Sequence, residues 1–122
     1  MRKLKLIVIL LTFLTYSYAR DAPQRFFQTT EIDVGKVPIL QESVVVKFKY
    51  FNQTGNMVVI QKVHPSCGCT DVVYPKRPIR HKEKGTITAT VRLSKSENHF
   101  NKSILICANG LKPIILRIKG KR

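Results

Sequence analysis

From residue 26 onward, apolar and polar side chains alternate almost one for one, and a period of two admits little except β-strands. Val44, Val46, Phe48 and Tyr50 share one face of a segment whose other face carries Lys47 and Lys49. Ile87, Ala89, Val91 and Leu93 alternate with Thr86, Thr88, Thr90 and Arg92, and Ile114, Leu116 and Ile118 with Ile115, Arg117 and Lys119. Such strands turn one face to a core and the other to water, as antiparallel sheets do. No segment after residue 19 has the spacing of an amphipathic helix.

Turn-forming residues cut this pattern into short lengths. Asn52-Gln53-Thr54-Gly55-Asn56 separates two β-branched runs as a hairpin connection, Pro75-Lys76-Arg77-Pro78 breaks the chain, residues 94–99 are polar, and Asn109-Gly110 is a tight-turn pair. The strands fall at 26–34, 43–51, 56–63, 70–74, 85–93, 100–108 and 112–119. About seven short strands in a hundred residues predict an all-β, immunoglobulin-like antiparallel β-sandwich, with a small closed barrel as the alternative. Tryptophan is absent, so the antibody-type core of a tryptophan against a disulfide is excluded and packing must be aliphatic. A domain of this size buries roughly two thirds of its unfolded surface and folds without a disulfide.

The start of the chain reads as an address. Arg2, Lys3 and Lys5 precede an apolar run through Leu14, and Ser17 and Ala19 are the small residues of a cleavage site. The run is short of the ~20 apolar residues of a membrane anchor. Residues 1–19 are therefore expected to be a signal peptide, 20–25 a short tail and 26–122 the single domain. No cysteine lies near the cleavage point, which excludes lipid attachment there. The expected location is outside the cytoplasm, in the periplasm or extracellular, with no membrane span after cleavage.

That location changes the meaning of the charge. The whole chain carries +15 at pH 7, and +12 remains once Arg2, Lys3 and Lys5 leave with the leader. An exported protein without zinc-finger spacing, a recognition helix or basic-aromatic stacking motifs is not a nucleic-acid binder. The expected partners are a protein or an anionic envelope polymer. The densest basic cluster, Lys76, Arg77, Arg80, Lys82 and Lys84, is the possible anion-binding loop; the alternative is a plain solvated surface. The seven carboxylates are dispersed, and no Ser/His/Asp set or phosphate loop is present. The chain is expected not to be an enzyme and to need no cofactor. His81 and His99 lie in polar, solvated stretches, and Asn52-Gln53-Thr54 and Asn101-Lys102-Ser103 match the glycosylation pattern.

The one unusual chemical element is His64-Pro65-Ser66-Cys67-Gly68-Cys69-Thr70. In an oxidising compartment two thiols flanking a glycine can close a small ring, with Gly68 supplying the backbone freedom. A ring so small is more easily reduced than ordinary disulfides, which makes thiol exchange one reading. His64, Cys67 and Cys69 also offer N, S and S to copper or zinc, although a structural zinc site needs a second ligand pair. The third reading is structural. Cys107 lies on the 100–108 strand, on the face opposite Ile104, Ile106 and Ala108. It is either a free thiol or paired with Cys67 or Cys69.

The Cys67-Gly68-Cys69-Thr70 motif after an apolar strand resembles the bacterial family called domain of unknown function 1573. Glu31 to Val37, the stretch Phe48 to Gly55, Lys84-Gly85, Asn109 and Ile118-Lys119-Gly120 are similar to that family's other elements. The family carries Pro-Gly where this chain has Arg80-His81-Lys82-Glu83, so this turn is made without the usual glycine. The resemblance implies a sandwich of the PapD, major sperm protein and ASH group, in which scaffolding or binding modules are the rule, and it supplies no activity. The reading is an exported, non-enzymatic binding or structural module of the bacterial cell envelope. The alternative is a thiol-redox or copper- or zinc-handling protein using Cys67 and Cys69.

Overall fold

The computed structural model describes Lys3 and residues 25–122. The expected signal peptide (1–19) and tail (20–25), apart from Lys3 and Arg25, lie outside the described residues. From residue 25 onward the chain forms seven strands and no helix: β1 (Glu31–Lys36), β2 (Ser43–Phe51), β3 (Ile60–Pro65), β4 (Thr70–Val73), β5 (Lys84–Arg92), β6 (His99–Ala108) and β7 (Ile114–Lys121). They make two sheets, one in the order β1-β7-β6-β3 and one in the order β2-β5-β4. Both sheets have open edges, which makes the fold a sandwich and sets aside the closed barrel. Strands two, five and four in one sheet, opposite three, six and seven, is the strand order of immunoglobulin-like sandwiches.

The alternation explains the packing. Val44, Val46, Phe48 and Tyr50 of β2 pair in register with Val91, Ala89, Ile87 and Gly85 of β5. Their side chains meet Ile104, Ile106, Leu116 and Ile118 from the other sheet in one buried core. Each fully buried side chain of this kind contributes ~1.5–3 kcal/mol, so this aliphatic core is the main support of the fold.

Two expectations need correction. The strand read at 26–34 is two pieces that serve different sheets. Gln28 N–H donates to Lys49 O, Phe51 N–H to Phe26 O, and Phe27 bridges Tyr50, all along the edge of β2. The chain then crosses over, and β1 pairs with β7 in parallel, Glu31 opposite Arg117. The sandwich is therefore antiparallel except for this pair. The reason is geometric: a chain that leaves one sheet edge and crosses to the other meets β7 running in its own direction. The strand read at 56–63 is also divided, with Val58 bridging Ile79 before β3 starts at Ile60. Smaller shifts put Lys84 at the start of β5 rather than in the preceding loop, and His99 at the start of β6.

Candidate functional site

The Cys-Gly-Cys element sits where the chain leaves one sheet for the other. Upstream, Ser66 N–H donates to Ser103 O at 2.8 Å, and Ser103 N–H returns a bond to Ser66 Oγ at 3.1 Å. Downstream, Arg92 N–H donates to Cys69 O at 2.8 Å, and buried Thr70 pairs with Val91 of β5. Between these anchors Cys67 and Cys69 are joined by a disulfide. Cys69 N–H points to Cys67 Sγ at 3.0 Å, and Thr70 N–H to Cys67 O at 3.3 Å. The Arg92 guanidinium closes the loop from outside, reaching Gly68 O at 2.6 Å and Asp71 Oδ2 at 2.7 Å. Both cysteines are half-buried and Gly68 is exposed.

The remaining sulfur and imidazole candidates lie elsewhere. Cys107 is a free, half-buried thiol opposite Lys62, on the outer face of its sheet. His64 is exposed on β3, opposite Leu105. With both motif sulfurs bonded to each other, neither is a thiolate ligand, and among the described residues no three His, Cys, Asp or Glu side chains are grouped to hold a metal ion.

The five basic residues from 76 to 84 are all exposed and have different neighbours. Arg77 is taken up by Glu83, at 2.5 and 3.1 Å, and Glu83 also accepts the Arg80 N–H at 2.8 Å. The Arg77 hydrogen bond, then that of Arg80, holds the Glu83 carboxyl below the usual glutamate range. Lys76 lies over the Tyr74 ring at 5.6 Å. Lys82 takes the place of the family's glycine at φ 63°, with Glu83 N–H bonded back to Arg80 O. A positive φ at the third position is the mark of a type II turn, so the turn is made as the Pro-Gly sequence would make it, with a lysine carrying the strain.

Asn52 holds that turn in place. Its side chain is fully buried and its Nδ2 donates to Asn56 O, Ile79 O and Arg80 O at 2.8, 3.0 and 3.1 Å. Its Oδ1 accepts from Thr54 N–H and Oγ1. An amide so engaged is no glycosylation acceptor, whatever its tripeptide. His81, read as solvated, accepts the Gly55 N–H through Nδ1 at 3.2 Å.

Lys84, the last residue of the basic cluster, lines a concave site. A groove of about 610 Å³ runs between residues 25–28 and the adjoining ends of β2 and β5. Arg25, Lys49 and Lys84 line it with Gln28, Gln53 and Phe51, and among the described residues no carboxylate does. Lys84 Nζ lies 5.4 Å from the Phe51 ring centre. Below, Phe26 stacks on Tyr50 with ring centres 5.2 Å apart, and burial pushes the Tyr50 hydroxyl above its ordinary value. Arg25 and Lys49 escaped the sequence reading because nothing local says that residues 25–28 return to β2.

Fold and crossover together define an all-β sandwich with a Cys-Gly-Cys-Thr sheet crossing. The chain belongs to the family described as Protein of unknown function (DUF1573), whose pattern matches residues 26–122. No curated protein matches the sequence. A Porphyromonas gingivalis W83 protein of unknown function is similar in structure, with a TM-score of 0.67 at 13% identity over 77% of this chain and 44% of that one. The Vibrio cholerae VesB protease aligns with a TM-score of 0.59 at 15% identity, over 80% and 32%. The secreted serine protease VesC from Vibrio cholerae aligns with 0.56 at 7%, over 73% and 21%. The chain spans less than half the length of these solved chains, and at such identities the likeness is one of fold. Among the described residues no helix is long and apolar enough to cross a membrane.

Proposed function

We propose that this protein is an exported, non-enzymatic binding module of the cell envelope, acting in the periplasm or outside the cell, and that its ligand is an anionic envelope polymer. The observation that carries this reading is the groove of Arg25, Lys49 and Lys84, which among the described residues contains cations, amides and aromatic rings but no carboxylate. Positive charge in a concave site raises the local concentration of a polyanion and speeds its capture. The groove is open along the sheet face, where Lys47 continues the row, so a chain-like ligand can run past its ends. In support of a non-catalytic role, His64, His81 and His99 sit on three separate elements, and Glu31, Asp71, Glu83 and Glu97 are each held by a cation. Export is tested by sequencing the N-terminus of the native protein, which should begin at Arg20.

The binding test uses polygalacturonate as the acidic polymer and dextran as the neutral one. Lys49→Glu/Lys84→Glu should weaken polygalacturonate binding at least tenfold, while Lys62→Glu/Lys112→Glu, with the same net charge, should change it far less. Equal losses in the two variants, or equal binding of dextran, would sink the proposal.

A second reading, thiol exchange or copper or zinc handling at Cys67 and Cys69, is favoured by one observation: the half-buried disulfide beside an exposed Gly68. Either role requires that the bond first take up two electrons and two protons from a dithiol. Alkylation and intact-mass measurement of the native protein, with and without such a reductant, decides it: thiols that stay unreactive end this reading.

A further inference from the structure

At the end of the sandwich opposite the groove, the link from β1 to β2 presents two large apolar side chains to water. Leu40 is 88% exposed and Ile39 60%. A nine-residue strand, β2, separates this tip from the groove end, roughly 26 Å at the usual rise per residue.

The tip is fixed in place. Val37 is buried beneath it, and its N–H donates to Lys121 O at 2.7 Å. Gln41 N–H closes a turn on Pro38 O at 3.0 Å. The Arg122 guanidinium then grips both flanks, donating to Ile39 O at 2.8 Å and to Gln41 O at 2.5 Å. Leu93 N–H donates to Glu42 O at 2.8 Å and ties the far side to the end of β5. Ile39 and Leu40 are thus held outward by their backbone and cannot fold back to hide themselves. Holding two apolar side chains in water contributes nothing to the fold, since a polar pair would make the same turn.

The surroundings are cationic. Lys36 precedes the tip and pairs with Lys121. Lys95 and Arg122 line the adjoining cleft with Arg92, which is held by Asp71. Among side chains facing this end, Glu42 is the carboxylate in that cleft, Glu97 is bonded to Lys102, and Asp33 accepts the Gly35 N–H. Three exposed lysines, the tip-bound Arg122 and, among the described residues, two carboxylates without a cation partner, Glu42 and Asp33, therefore surround a rigid apolar point. A lipid surface with negative headgroups offers both partners at once: acyl boundary for the apolar pair, and headgroup charge for each cation, about fivefold in binding per lysine or arginine near the surface.

We infer that the Ile39–Leu40 tip docks on an anionic lipid bilayer, inserting both side chains while Lys36, Lys95 and Lys121 meet the headgroups and Arg122 holds the tip in shape. Attachment of this kind is peripheral and reversible, as a single small apolar insertion with basic flanks must be. It leaves the groove facing away from the membrane, and it does not rest on what the groove binds.

The test is co-sedimentation of residues 25–122, which contain both sheets and the whole described core, with two kinds of vesicle. One kind is pure phosphatidylcholine; the other is phosphatidylcholine with 30% phosphatidylglycerol. The domain should pellet with the anionic vesicles, far less with the neutral ones, and be released at 0.5 M salt. Ile39→Ser/Leu40→Ser should weaken pelleting at least tenfold. Met57→Ser/Ile115→Ser removes two other exposed apolar side chains, 61% and 49% exposed, and should leave pelleting unchanged. Both are surface changes, and far-ultraviolet circular dichroism confirms that each variant is folded. Three results would overturn the inference: equal binding to neutral vesicles, wild-type pelleting by the tip variant, or a wild-type dimer in gel filtration that the tip variant alone abolishes while neither pellets.

Discussion

The Tyr50 ring lies across Gly85 on the neighbouring strand, so close that a β-carbon on Gly85 would overlap its hydroxyl and ring carbons. The two are cross-strand partners in the β2–β5 register. The other sheet repeats the arrangement. Phe100 is paired with Gly120, and a β-carbon there would meet Phe100 Cζ at 2.5 Å and Val34 Cγ2 at 2.7 Å. Each sheet thus seats a large ring in the space that a missing side chain leaves.

Gly85→Ala and Gly120→Ala should therefore each destabilise the domain, by about 2 kcal/mol, the usual cost of forcing a methyl group into a packed interior. Urea denaturation of each variant checks it. An unchanged midpoint would mean that the ring can swing away freely.

Asn52→Asp keeps the shape of a buried side chain and removes both of its donors. Ile79 O, Arg80 O and Asn56 O would keep their other donors, Val58 N–H, Glu83 N–H and Thr54 Oγ1, but each would face a carboxylate where an amide N–H had been. The expected loss is about 3 kcal/mol, since each hydrogen bond lost is worth ~0.5–1.5 kcal/mol and a buried carboxylate set against carbonyl oxygens adds to that. Thermal unfolding at pH 7 measures it, and a loss under 1 kcal/mol would contradict the role given to Asn52.

Lys82→Gly should stabilise the protein. A non-glycine residue in the left-handed region costs ~1–2 kcal/mol, while glycine costs ~0.5–1 kcal/mol in chain entropy, leaving a net gain of about 0.5–1 kcal/mol. The same urea series reads it, with Lys82→Ala as the control that gains nothing.

Removing the disulfide by Cys67→Ser/Cys69→Ser should cost only about 1–2 kcal/mol, because the closed loop is so short. The sheet crossing keeps its hydrogen bonds from Ser66 and Arg92 on either side. Polygalacturonate binding at the distant groove should be unaffected. A variant that cannot fold at all would show that the bond does more than staple one turn.

Acid should weaken the fold from about pH 4.5 downward. Hydrogen bonds from Lys119, Arg77 and Lys102 lower the carboxyls of Glu31, Glu83 and Glu97 below their ordinary 4.5. Lowered carboxyls contribute stability in full above the unfolded value and lose it as pH falls through the folded one. Melting temperature should be level from pH 8 to 6 and drop below 4.5. Glu83→Gln should flatten part of that drop and lower stability at neutral pH.

Much of this fold is written in the alternation of the sequence. Val44 to Tyr50 and Ile87 to Leu93 declare their inward faces, and the polar turns declare where strands stop. What alternation cannot declare is a strand's partner. Residues 26–34 alternate like one strand, yet serve two sheets, because pairing depends on edges made by residues far along the chain. For the same reason the groove was invisible: Arg25, Lys49 and Lys84 come from three elements. Asn52 heads a tripeptide pattern that is common by chance and carries no information on burial, and only the closure of two turns around it uses up its amide. The tip at Ile39 and Leu40 gave no motif at all, since two apolar residues in the link between the expected strands 26–34 and 43–51 carry no sign of whether they are buried or exposed.

The parallel pairing of β1 with β7 fixes an order of events. The first strand of the sandwich has as its neighbour the last strand to be synthesised, while residues 26–28 already belong to the edge of β2. Closing so long a loop early is entropically unfavourable, and contacts this distant in sequence form late. Until the final strand arrives, the sheet that contains β3 and β6 has no place to receive the start of the chain. The β1–β7 pair therefore ties the two ends of the described domain into one sheet edge, so that fraying at either end loosens the other.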